Sequence, residues 1–251
     1  MLQKAEGLVL RTVDYGETNK IVTLFTRETG KIALFASGAK KTRSRLASVT
    51  QPFTYGSYLF YVGKGLGSIR QGEIIDSFRN LRADFFRTAY AAYVSELLDQ
   101  LTEERSPNPF LFELFFQTLH YIDDEVDPEV LAFIFEVKML EVAGIRPNLD
   151  GCIRCGTHTG PFVFSIKEGG LLCKTCKAAD PHHREMSETS LKLLQLFTRI
   201  DLARLGKVSV KAETKREIRN LLRDYYDELS GLKLKSRRFL DQLDQLDPGS
   251  S

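Results

Sequence analysis

From residue 6 to residue 77, apolar positions recur with the short alternation of half-buried strands, and turn residues interrupt them at regular intervals. The pattern predicts five strands. Residues 7–13 end at the turn Asp14-Tyr15-Gly16, residues 21–25 end at Glu28-Thr29-Gly30, and residues 32–35 run into a basic loop. Residues 58–62 precede the glycine-rich turn Gly63-Lys64-Gly65-Leu66-Gly67, and residues 68–75 return as the fifth strand. Five short strands with one long, charged connection suit a small barrel such as the OB-fold. The glycines at 63–67 lack the GxxxxGK[ST] order of a phosphate loop and read as a hairpin turn.

After Asn80 the apolar spacing becomes helical. Phe85, Phe86, Ala89, Tyr93, Leu97 and Leu98 share a stripe across residues 84–101, and Pro107 and Pro109 interrupt it. Residues 110–122 are apolar around much of the circumference, and Pro128 opens a third helix that runs to Val142 with Gly144 as its cap. Farther on, Ser187-Glu188-Thr189-Ser190 reads as an N-cap before Leu191, Leu194 and Phe197, and residues 215–229 form another amphipathic stretch. Residues 232–240 carry Lys233, Lys235, Arg237 and Arg238, and the tail 247–251 is expected to fray. The overall expectation is an α+β chain in which residues 1–80 form a five-stranded OB barrel. Residues 81–148 and 185–246 then form an α-helical domain, with a module at 149–184 inserted in it.

That module holds the only cysteines of the chain. Cys152, Cys155, Cys173 and Cys176 form two CxxC pairs separated by 17 residues, the spacing of a structural zinc site. Each pair lets one turn aim two thiolates at a common centre, and the intervening stretch, with residues 162–164 as a strand, brings the second pair back. Four sulfurs complete a tetrahedron and leave no position for water, so the ion is a staple and not a catalyst. The alternatives are four free thiols, two disulfides, or a redox CxxC, but the last needs a helix start where this sequence has Gly151, Gly156 and Gly160. His158, His182 and His183 are substitute ligands that a full cysteine set does not need. Gly156 suits a tight knuckle, whereas Lys177 stands at the matching place in the second pair.

Composition narrows the class. With 43% hydrophobic residues in 251, the chain can bury a sizeable core. No apolar run reaches the ~18 residues of a membrane span and the N-terminus lacks a signal-peptide core, so a soluble, intracellular protein is expected. The small net charge of +2 conceals a pattern: residues 1–80 carry twelve Lys/Arg against six Asp/Glu, while residues 81–150 carry five against fourteen. Binding to a polyanion is therefore expected to be local.

The local signal is the loop Gly38-Ala39-Lys40-Lys41-Thr42-Arg43-Ser44-Arg45, with four cations in six residues. Lys supplies charge, Arg a planar fork, and Thr42 and Ser44 single hydrogen bonds, which together suit phosphates. A solvated surface loop is the plainer reading of the same residues. Arg11, Lys20, Lys64 and Arg70 would extend the basic track, and exposed members of the set Phe53, Tyr55, Tyr58, Phe60 and Tyr61 would stack on bases. Alternation puts Tyr58 and Phe60 on one face and Leu59 and Tyr61 on the other. Asp123, Asp124, Glu125 and Asp127 read as a solvated helix boundary more readily than as a catalytic cation site. The apolar residues of 110–116 suit a buried helix, or in part a docking groove for another protein. No HExxH or GxSxG motif is present, and the four histidines pair with no obvious nucleophile.

Together, Glu6-Gly7-Leu8-Val9-Leu10-Arg11 with Asp14-Tyr15-Gly16-Glu17, Gly38-Ala39-Lys40-Lys41 with Ser44-Arg45, and Gly144-Ile145-Arg146-Pro147 before the first cysteine resemble the bacterial RecO family of recombination mediators. The resemblance covers nearly the whole chain, and the full cysteine set matches the zinc-containing branch. It implies a cytoplasmic, nucleoid-associated protein that catalyses no bond making. Such a protein binds single- and double-stranded DNA, anneals complementary strands, and acts with RecR, often RecF, to load RecA on strands coated by single-stranded DNA-binding protein. On this reading Lys40, Lys41, Arg43 and Arg45 neutralise phosphates, assisted by Arg11, Lys64 and Arg70, while Cys152, Cys155, Cys173 and Cys176 hold one structural Zn2+. The alternative is a zinc-stabilised interaction scaffold that meets nucleic acid only incidentally.

Overall fold

Alternation of inward and outward side chains builds the first half of the molecule, seen in a computed structural model that describes residues 1–63, 65–206 and 208–246. Five strands, β1 (Leu2–Tyr15), β2 (Asn19–Thr26), β3 (Gly30–Ala36), β4 (Tyr55–Tyr61) and β5 (Gly67–Asp76), close into a barrel of order β1-β2-β3-β5-β4. This is the expected OB barrel. Ala5, Val9, Val22, Leu24, Ile32, Leu34, Ala36, Tyr58, Phe60 and Ile69 point inward and fill it. Closure rests on a parallel pairing of β3 with β5, Leu34 opposite Gly67 and Phe35 opposite Ser68. A Cβ on Gly67 would lie 2.6 Å from the Tyr61 carbonyl oxygen, so a glycine is what lets the strands approach.

Two expectations shift here. The first strand begins at Leu2, because Lys4 and Glu6 face outward and dilute its apolar signal. It also continues through Tyr15, which pairs with Asn19, and the turn falls on residues 16–18 with Gly16 at φ +62° opening it. Between β3 and β4 lie the basic loop and a single helical turn, α1 (Leu46–Val49), whose Val49 carbonyl accepts the Tyr58 hydroxyl at 2.9 Å.

The barrel belongs to a compact unit spanning Met1–Glu125. After β5 come α2 (Arg79–Ala83), which the sequence pattern did not predict, α3 (Phe85–Leu101) and α4 (Pro109–Asp123). Asp84 caps α3 by accepting from the Arg87 amide, and Asn108 caps α4 by accepting from Leu111, contributions of about 1 kcal/mol each. Pro109 thus opens a helix as its first residue as well as closing the stretch before it. Arg82 ties α2 to the barrel, donating to the carbonyls of Ser77 and Pro52 and, at 2.9 Å, to Thr54 Oγ1. On the outside of the sheet, Phe25 packs against Phe112 and Phe115, and Tyr55 against Phe116.

The second compact unit begins at Val126. Asp127 caps α5 (Pro128–Val142), which is buried nearly all round, and α6 (Glu188–Arg199) and α7 (Ala212–Leu229) pack on it. Ser187 caps α6 as expected, accepting from Ser190 at 3.2 Å. The last helix is α8 (Lys235–Leu246), and the tail 247–251 lies outside the described residues. Between α5 and α6 sits a three-stranded sheet of β6 (Asn148–Cys152), β7 (Phe162–Ser165) and β8 (Gly170–Cys173), in the order β6-β8-β7. No helix among the described residues is long and apolar enough to cross a membrane.

Candidate nucleic-acid interface and metal centre

The basic loop is a chain of tight turns. Lys41 donates its amide to the Gly38 carbonyl at 3.0 Å, Ser44 to Lys41 at 2.9 Å and Ala47 to Ser44 at 3.1 Å. It is anchored to the β1–β2 turn, since Lys40 N donates to Thr18 O at 2.9 Å and Gly38 N to Asn19 Oδ1 at 2.9 Å. All four cations are exposed. Lys40 pairs with Asp14 at 2.7 Å, and that hydrogen bond holds the Asp14 carboxyl below its ordinary range. Lys41, Arg43 and Arg45 have no ion pair among the described residues. Their charge is uncompensated, which is what a polyanion needs.

The other basic candidates separate by environment. Arg70 is exposed on β5, at the bulge between Ile69, which pairs with Phe60, and Gln71, which pairs with Leu59. Arg11 instead donates to Asp99 of α3 at 2.6 Å, and Lys31 reaches the same carboxylate at 3.1 Å, so Arg11 also fastens α3 to the barrel. Lys20 is half-buried, and Lys64 lies outside the described residues. Arg237 of the basic C-terminal helix is held by Glu136 at 3.2 Å and Asp227 at 3.5 Å, with its guanidinium 5.2 Å from the Tyr226 ring centre.

Strand register sorts the aromatics. Tyr58, Phe60 and Phe53 are buried, and burial pushes the Tyr58 phenol well up, so none of these three can stack on a base. Tyr55 is half-buried, its hydroxyl donating to Glu6 at 2.5 Å. Tyr61 is 48% exposed, and Tyr15, on the last residue of β1 and not in the turn expected at 14–16, is 56% exposed with its ring edge-on to Phe35 at 5.9 Å. The pairings Val13–Ile21, Ile21–Phe35, Phe35–Ser68 and Ser68–Tyr61 set Phe35 and Tyr61 in one row across the outside of the barrel, and Tyr15, two residues beyond Val13 and opposite Asn19, leans against Phe35 from the adjoining position. Nothing short of the register reveals that row.

Two other groups take structural roles. Asp123 accepts the Leu81 amide at 2.8 Å, Asp124 meets His120 at 3.4 Å, and Asp127 pairs with Lys215 at 2.6 Å beside its capping bonds. Within 110–116, only Phe110 is strongly exposed, at 71%, while Leu111, Phe112, Leu114 and Phe115 are buried.

The four cysteines converge. The sheet brings Cys152 at the end of β6 beside Cys173 at the end of β8, and all four Sγ atoms lie within 4.8 Å of one another. Tetrahedral coordination with ~2.3 Å Zn–S bonds requires S···S separations of about 3.8 Å, and Cys155 Sγ and Cys173 Sγ are 3.7 Å apart. Gly156, at φ +73°, donates to the Cys152 carbonyl at 2.8 Å and forms the first knuckle. The second is a turn in which Cys176 N donates to Cys173 O at 3.0 Å, followed by a 3-10 turn over Lys177–Ala179. No histidine joins the cluster: His158 Nδ1 meets Asp150 O at 2.7 Å and His183 Nδ1 meets Asp180 O at 2.7 Å. The Cys176 amide lowers the Cys173 thiol, whereas burial and the neighbouring thiols push Cys176 up to about 12. Four thiolates this close need a cation to be charged together, and the donor set fits a soft, tetrahedral ion.

An OB-type barrel carrying a cationic loop, in one chain with helices and four thiols close enough to hold one metal ion, defines a class of small barrel proteins with an appended cysteine cluster. Family models match the chain on both sides of its barrel boundary. One described as recombination protein O N terminal matches residues 1–78, and one described as recombination protein O C terminal matches residues 82–238. The protein named DNA repair protein RecO from Halalkalibacterium halodurans is 56% identical over 98% of this chain and 97% of its own length. Its namesake from Bacillus pumilus is 53% identical over 98% and 96%. The chain belongs to the RecO family.

Proposed function

We propose that this chain is a mediator of DNA repair and homologous recombination that binds single- and double-stranded DNA and anneals complementary strands. With RecR, and RecF, it helps load RecA on strands coated by single-stranded DNA-binding protein, in the bacterial cytoplasm at the nucleoid. Family membership supports the repair role. The observation that carries the DNA contact is the exposed, unpaired charge of Lys41, Arg43 and Arg45, on a loop pinned beside the open face of the barrel.

In this reading Lys41, Arg43, Arg45 and Arg70 make the direct phosphate contacts. Lys40, Arg11 and Lys64 add to the field, the first two while paired to Asp14 and Asp99. Residues 1–80 act as the DNA-binding domain, residues 81–148 and 185–246 as the helical domain, and residues 149–184 as an inserted module. Annealing needs no bond chemistry: a positive surface that holds two polyanions lowers their mutual repulsion and raises the chance that complementary bases meet. The ion held by Cys152, Cys155, Cys173 and Cys176 is one Zn2+, which cross-links the two knuckles.

The test is an annealing assay on complementary strands, bare and coated with single-stranded DNA-binding protein, over a salt series. Acceleration on both substrates, fading steeply as salt rises, is expected. A protein that binds strands but never accelerates pairing is a binder and not a mediator.

A further inference from the structure

We propose that Tyr15, Phe35 and Tyr61 form a base-stacking strip on the outer face of the barrel, taking unpaired nucleobases of a single strand. The barrel would thereby hold single-stranded DNA more tightly than duplex. The proposal rests on the preceding reading and deepens it by assigning the bases, and not only the phosphates, a place.

The strip follows from how the outer face is covered. Arg11, Val13 and Tyr15 on β1, Ile21, Thr23 and Phe25 on β2, and Lys31, Ala33 and Phe35 on β3 all point away from the barrel interior. Toward the Phe25 end, α3 and α4 bury that face: Phe25 meets Phe112 and Phe115, and Asp99 holds Arg11 and Lys31. Toward the Tyr15 end none of the helices described in this unit covers the face, and large apolar side chains stay wet, Val13, Tyr15 and Tyr61 among them. They contribute nothing to the barrel core, which Val22, Leu34, Ala36, Phe60 and Ile69 already fill. The Tyr15 and Tyr61 hydroxyls have no hydrogen-bond partner among the described residues, so no internal polar contact accounts for either ring.

Charge identifies the occupant. The loop that follows β3 carries Lys41, Arg43 and Arg45 and is tied to the β1–β2 turn next to Tyr15 through Thr18 and Asn19, and Arg70 is exposed at the bulge of β5. Aromatic faces between cations match a strand whose bases lie inward and whose phosphates lie outward. Neighbouring strands are ~4.8 Å apart, which separates Phe35 from Tyr61, two strands away, by about 10 Å. That span admits successive bases of an extended strand. A duplex hides its base faces and can offer the strip nothing, whereas the loop cations serve both forms equally.

The test uses the full-length protein with a labelled oligothymidine, an abasic oligonucleotide of equal length and a blunt hairpin duplex. Tyr15→Ala and Tyr61→Ala are each expected to weaken oligothymidine binding by about 5- to 150-fold, while leaving duplex affinity and the salt slope unchanged. Tyr15→Phe retains affinity, and the abasic strand binds wild type and variants alike. In the wild-type protein, photocrosslinking to a strand carrying bromodeoxyuridine is expected to label Tyr15 or Tyr61, a readout independent of whether a variant folds. Alanine variants that bind oligothymidine as wild type does, equal losses on strand and duplex, or crosslinks confined to other residues would overturn the strip. If the wild-type protein instead binds no oligothymidine at any salt concentration, the DNA-binding reading itself fails.

Discussion

Replacing Lys41, Arg43 and Arg45 together by alanine removes the three loop cations that have no ion pair among the described residues and leaves Lys40 on Asp14. The loop's turns are made by backbone amides and carbonyls, so the fold loses no hydrogen bond. Each phosphate contact to a single strand contributes roughly −0.7 to the slope of log affinity against log salt, so three contacts account for a slope of about −2. If affinities converge near ~1 M salt, the variant binds about 100-fold more weakly at ~0.1 M, equivalent to about 3 kcal/mol. Anisotropy of a labelled oligothymidine across a salt series measures slope and affinity together. A weaker variant with an unchanged slope would mean that the loop acts through shape and not charge. An unchanged affinity would remove the loop from the interface altogether.

Three further outcomes follow from the packing. Purified protein is expected to carry one zinc per chain by atomic absorption; Cys155→Ser or chelation should lower the melting temperature of the second unit while barrel DNA affinity stays within about threefold, and acid should release the ion because its ligands must be thiolates. Unchanged melting with lost DNA binding would reverse the assigned role of the metal. Asp99→Ala leaves Lys31, largely buried, without its carboxylate, and a urea titration should show a loss of about 3 kcal/mol; a loss below ~1 kcal/mol would show that the pair is not held away from water. Gly30→Ala should be severely destabilising, more than ~2 kcal/mol by the same titration, because φ is +74° and the new Cβ would lie 2.2 Å from the Ser106 carbonyl oxygen. Normal stability would mean that this turn relaxes freely.

The barrel strands and the metal ligands were legible because their signals are local. Alternation at 21–25 and 32–35 marks strands whichever partner they find, and the spacing of Cys152, Cys155, Cys173 and Cys176 encodes two turns and a return. Three kinds of information were not local. α2 is five residues long, too short for a helical period to show. Arg11 looked like free charge because its partner Asp99 lies 88 positions away. Which aromatics are wet depends on where α3 and α4 lie over the sheet: alternation correctly split Tyr58 and Phe60 from Tyr61 but could not name the buried side, and Tyr15 joins Phe35 only through the β1–β2 and β2–β3 registers. The glycine at position 16 was the sequence clue that the strand could carry Tyr15 before turning, and the structure puts it at positive φ.

Lysine acylation read by mass spectrometry, with and without saturating oligothymidine, tests most directly whether DNA lies on the barrel loop and not on the cysteine module. Lys41 should be protected by the strand while Lys174, between the second pair of cysteines, reacts at the same rate in both conditions. Protection of Lys174 with Lys41 unchanged would place the DNA on the module and contradict the assignment of the barrel as the DNA-binding element.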